Sequence, residues 1–157
     1  VRSIERAEMA RNFIGVVTGL AAWLAIAVVA GLIMRETWPA YASVADAMTF
    51  TLPMLIVRLS IGAFATVSMG FVTACITTSA VARLAPGLIL LIVFIPEHVM
   101  LWDKFPIWYH LSFLLSLVPL TYLGNSIAPG AMLQRRCSSA QSFPHTSICE
   151  NKLGVKE

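Results

Sequence analysis

Residues 13–34 read FIGVVTGLAAWLAIAVVAGLIM, a run without a charged side chain, bracketed by Arg11 and Arg35. At 1.5 Å per helical residue it is long enough to cross a hydrocarbon layer about 30 Å thick, which takes about 20 residues. Only helices and closed barrels satisfy their backbone hydrogen bonds in lipid. A barrel strand would be about ten residues of alternating apolar and polar positions. The run does not alternate, so it predicts a transmembrane helix. A secretory signal is the rival, with RSIERAEMARNF as its basic region and Ala40-Tyr41-Ala42 as its cleavage site. Signal cores are about 7–15 residues long, however, and this run is longer and ends well before that site.

The rest of the chain has the same character. Of its 157 residues 58% are hydrophobic and 12% charged, with a mean hydropathy of +0.80. Soluble domains are about 45–50% apolar and about 25% charged. Too little polar surface is left to cover a globule in water, so the solvent must be largely lipid.

Three further spans follow. Apolar character persists from Met48 to Ala82, and Pro53 suits a first helical turn, so the second span is expected over 52–82. Arg83 and the Ala85-Pro86-Gly87 stretch mark a turn before a third span over 86–102, where Pro96 predicts a kink. The fourth is expected over 106–124, with Gly124 as its stop. The fold expected is an all-α integral membrane protein: an antiparallel four-helix bundle over 13–128, preceded by a cytoplasmic segment, 1–12. From residue 129 the polar, serine-rich QRRCSSAQSFPHTSICENKLGVKE predicts a flexible cytoplasmic tail.

Charge sets the expected orientation. With four spans, Arg2, Arg6, Arg11, Arg83, Arg135, Arg136, Lys152 and Lys156 share one side, against Arg35, Arg58 and Lys104 on the other. Basic residues stay in the cytoplasm, which puts both termini there and suits a bacterial inner membrane. Cys137 and Cys149 would then face a reducing compartment and stay unpaired. Trp38, Tyr41, Trp102, Trp108 and Tyr109 are expected as an aromatic belt on the outer side. The net charge of +3 is spread along the chain without a basic–aromatic stripe, so nucleic acid is not an expected partner.

PEHVMLWDKFPIWYH, residues 96–110, places two histidines, two acids and a lysine at one hairpin. His98 lies four residues before Trp102 and His110 four after Pro106, so each is about 6 Å below the outer loop. Arg58 lies five residues after Pro53, about 7–8 Å into its helix. With Glu97, three helices bring ionisable groups to one depth, and such groups inside a span cost about 2.5–3.5 kcal/mol at its centre. One use is an outer-leaflet pocket of a small transporter or proton-responsive sensor, with Arg58 as fixed charge and the histidines titrating. Another is a bis-histidine haem b site or, with Glu97, a divalent-metal site. The bland alternative is a wet interface in which Arg58 snorkels and pairs with Glu97. Asp103 and Lys104 are expected as a solvated pair in the loop.

The second span also carries Gly62, Thr66, Gly70, Ala74, Thr78 and Ala82 at four-residue steps, echoed by Gly15, Gly19, Ala27 and Gly31 in the first. Small residues at this spacing let helices approach closely in lipid. They serve either packing within the bundle or a surface for a second copy or a membrane partner subunit. No GxSxG, P-loop or HExxH pattern occurs, so nucleophilic, phosphoryl-transfer and zinc-protease chemistry have no support. The sequence alone favours a non-catalytic accessory or oligomeric bundle acting through helix–helix contact, with the polar pocket and the histidine cofactor site as alternatives.

Overall fold

A computed structural model describes residues 2–129. The expected polar tail from residue 130 onward, with Arg135, Arg136, Cys137, His145, Cys149, Lys152 and Lys156, lies outside the described residues. Among the described residues every regular element is a helix: α1 (Arg2–Thr37), α2 (Pro39–Ala45), α3 (Leu52–Ile76), α4 (Ala80–Met100) and α5 (Ile107–Ile127). All but α2 are long and apolar enough to cross a membrane.

The boundaries correct the sequence reading at several points. The first helix starts well before residue 13: α1 has 36 residues, about 54 Å of helix, because nothing in residues 2–12 breaks it. It ends where Pro39 disfavours helical geometry at the preceding residue. Pro39 then opens α2, a seven-residue helix between the first two spans. Met48 takes a positive φ of 55° in the turn that follows.

The second helix stops at Ile76 rather than residue 82, and the next begins at Ala80 rather than 86. Thr77-Thr78-Ser79 between them is extended, and the cause lies on α1. Asn12 Oδ1 accepts the backbone N–H of Thr78 at 3.1 Å and of Ser79 at 3.4 Å. It therefore holds the two amides that lead into α4 from outside the segment, and Ser79 makes no side-chain cap of its own. Asn12→Ala is expected to cost about 1 kcal/mol, the usual net worth of a hydrogen bond. Faster hydrogen exchange at the Thr78 and Ser79 amides would register it; unchanged exchange would refute the role. Pro86 lies inside α4, as prolines do in apolar helices where neighbours compensate the lost bond. Likewise α5 runs through Gly124 to Ile127, so Gly124 is not a stop.

α3 is the most buried long helix and α1 the least, and α3 touches α1, α4 and α5. On α1, Gly15 lies against Ile76 and Thr77, Gly19 against Thr73, and Trp23 against Thr66. Residue numbers therefore rise along one helix as they fall along the other. Trp23 Nε1 donates to Thr66 Oγ1 at 3.2 Å, and that hydroxyl donates to the Gly62 carbonyl at 2.7 Å. Trp23, Ala65, Met69, Leu90 and Leu117 form the central core. Outward the helices show large apolar side chains, including Phe13, Leu24, Leu32, Phe64, Ile92 and Leu115.

The small residues of α3 are taken up inside the chain. A Cβ on Gly70 would strike the Thr121 carbonyl of α5, and one on Gly124 would strike the Val67 carbonyl of α3. Gly62 faces Phe113, Ala74 is buried, and Thr78 and Ala82 have left the helix. The stripe foreseen as a continuous face is thus cut at Ile76.

Candidate functional site

A cavity of about 450 Å³ lies between the four long helices at their α2 end, and Arg58, Glu97, His98 and His110 all line it. Helix geometry alone accounts for this convergence. Arg58 is in the second turn of α3, His98 in the last of α4 and His110 in the first of α5, so the hairpin and the start of α3 meet at one level.

Arg58 is half-buried and does not pair with Glu97. Its Nη1 donates to the Tyr41 hydroxyl at 2.6 Å and its Nε points to the Tyr109 hydroxyl at 3.5 Å. The guanidinium carbon lies 4.7 Å from the Phe50 ring centroid, within the range of a cation–π contact. The ion pair among the described residues is elsewhere, between Arg35 and Asp46 at 2.8 Å on the surface. Asp103 and Lys104 are exposed in the loop without pairing.

Tyr41 and Tyr109 also correct the expected aromatic belt. Both are buried, 4% and 7% exposed, and they turn their hydroxyls to Arg58 rather than to an interface. An amphipathic tyrosine suits either place, so composition could not separate them. Tyr41 carries α2 down onto the cavity, and Phe50 stacks on it at 5.2 Å.

The histidines sit in an aromatic box. His98 Nδ1 is 2.9 Å from the Phe94 carbonyl; a carbonyl only accepts, so Nδ1 carries the proton and, in the neutral ring, Nε2 keeps a lone pair. Its ring stacks on Phe113 at 5.0 Å. His110 is 0% exposed, with Trp102 stacked on it at 5.1 Å and His98 edge-on at 5.1 Å. Neither ring nitrogen of His110 has a hydrogen-bond partner among the described residues. Buried polar atoms are almost always partnered, and an orphan costs about 1–3 kcal/mol.

The cofactor alternatives do not fit these residues. Ring centroids 5.1 Å apart are already in aromatic contact, so no haem passes between His98 and His110. Among the described residues no three His, Cys, Asp or Glu side chains form a metal-binding group, and Glu97, His98 and His110 are therefore not a metal set. Trp23, Phe94 and Phe113 complete the apolar wall. In the sequence Trp23 merely interrupts the four-residue steps of Gly15, Gly19, Ala27 and Gly31. No family model matches the chain, and no curated protein or solved structure is significantly similar to it.

Proposed function

We propose that this is a four-span antiparallel bundle of a bacterial inner membrane, with cytoplasmic termini and a ligand pocket open to the outer side. It acts by binding a small solute, as a transporter or sensor does, and not by catalysis. The observation that carries this is Arg58: a guanidinium set in an internal cavity on two tyrosine hydroxyls, with no carboxylate partner among the described residues. A snorkelling arginine would reach outward to the headgroups, whereas this one lines the cavity. The outward apolar side chains suit a lipid surround. The helix–helix reading keeps less support, because Gly15, Gly19, Gly62, Thr66 and Gly70 are matched to neighbours within the chain.

Gly31 offers a direct test. It lines the cavity, and a Cβ there meets nothing within 4 Å. With Cys75, Cys137 and Cys149 replaced by serine, Gly31→Cys is expected to react from outside with a small anionic, membrane-impermeant methanethiosulfonate. Val29→Cys, on the outward face, should stay unreactive, and Ala7→Cys should react only once the membrane is opened. An inert Gly31→Cys, or Ala7→Cys labelled from outside, overturns the pocket or its orientation.

A further inference from the structure

We infer that the cavity takes a molecule with a single carboxylate on an apolar body, an assignment that rests on the pocket reading above. Arg58 sets the charged end. Two of its donors are engaged by Tyr41 and Tyr109, and Nη2 has no partner among the described residues. A guanidinium fork matches a carboxylate in plane and in charge.

The number of charges follows from the lining. Arg58 is the one guanidinium lining this cavity, so a second negative charge on the occupant would find no partner there. Arg35 lines an adjoining chamber that shares Arg58 and Tyr41, but Asp46 already holds it. A phosphate dianion therefore lacks its second cation, and a monoanion fits.

His110 supplies the independent observation. It is 0% exposed and lines the cavity, yet both ring nitrogens lack a partner among the described residues. A neutral imidazole presents one donor and one acceptor; the ring is fully enclosed, so a small turn toward the cavity lets a polar atom of the occupant satisfy what the chain leaves open. The rest of the wall is largely apolar, with Trp23, Phe94, Phe105 and Phe113 set among aliphatic side chains. A volume of about 450 Å³ falls in the range of about 300–1,000 Å³ for small-molecule pockets. The same chemistry has two sources, a water-borne organic acid and a fatty acid from the bilayer.

The test is equilibrium binding to the full chain in mild detergent, with 3-phenylpropionate, oleate, 3-phenylpropanol and phenethylamine as probes. The acids should bind at least tenfold more tightly than the alcohol or the amine. Arg58→Gln should weaken the acid at least tenfold, and Arg58→Lys, which keeps the charge but loses the planar fork, should weaken it less than Arg58→Gln does. Each variant is checked for folding by its elution and by Gly31→Cys labelling. Preference for 3-phenylpropionate assigns the water-borne source, and preference for oleate the bilayer; either supports the proposal. Equal binding of acid and alcohol, or an acid affinity unmoved by Arg58→Gln, overturns it. If Gly31→Cys is labelled but neither acid binds, the carboxylate assignment falls alone. If Gly31→Cys is unreactive, the pocket reading falls with it.

Discussion

Gly70→Ile is expected to yield little or no folded protein, while Gly31→Ala yields a protein at least as stable as the parent. The two glycines look alike in the sequence, each in an apolar run at small-residue spacing. In the structure they have opposite surroundings. The position of a Cβ on Gly70 overlaps the backbone carbonyl of Thr121, with the Thr121 carbonyl carbon and Cα at 3.1 and 3.2 Å. Those are atoms of α5 itself, so relief requires the helices to part. Gly124 reciprocates from α5 against Val67 and Phe71 of α3, which leaves the crossing no side on which to yield. Inserting methylenes into a packed core costs about 1–3 kcal/mol even where side chains shift. A branched residue against backbone belongs at or above the top of that range. At Gly31 nothing lies within 4 Å of the added atom, and alanine gains about 0.5–1 kcal/mol in a helix interior. Denaturant unfolding in detergent micelles reads both. A folded, parent-like Gly70→Ile would show that the α3–α5 crossing is looser than the backbone contacts require.

That contrast marks what the sequence could reveal. Four apolar helices were legible because a bilayer needs about 20 unbroken residues, and no other segment competes for the role. The meeting of Arg58, His98 and His110 at one level of the bundle was legible as well, since a rise of 1.5 Å per residue sets each at a similar distance from its helix end. The α3–α4 boundary was not. Residues 77–82 are small and uncharged, TTSAVA, and would extend a helix as readily as end it. Asn12, 66 residues away in sequence, holds the Thr78 and Ser79 amides there. Distant partners of this kind leave no local period. The inward turn of Tyr41 and Tyr109 was hidden for another reason: a phenol with an apolar ring and a polar tip satisfies a membrane interface and a buried arginine equally. Which neighbour received each small residue was hidden too, because one stripe serves inner packing and outer association alike.

His110→Phe is expected to raise the stability of the unliganded protein while weakening the acid probe. The sign follows from the asymmetry of buried hydrogen bonding. Breaking one partner of a satisfied pair costs stability, whereas replacing an unsatisfied buried polar group by an apolar one of similar shape is neutral or favourable. His110 is fully enclosed, and neither of its nitrogens is bonded among the described residues. A phenyl ring keeps the stack on Trp102 and the edge contact with His98. Removing the orphaned atoms should return about 1–3 kcal/mol, less whatever water already satisfies in the empty pocket. Ligand affinity moves the other way, because the phenyl offers neither donor nor acceptor to the bound molecule. His110→Ala separates shape from polarity: it removes the same nitrogens but leaves Trp102 without its stacking partner, so it should destabilise. The pair of thermal unfolding temperatures decides the matter. If His110→Phe melts well below the parent while still eluting as the parent does, the nitrogens are satisfied in the empty protein, and their role is in holding the fold. If it melts at or above the parent and binds the acid poorly, His110 is held at a cost to stability that only its ligand explains.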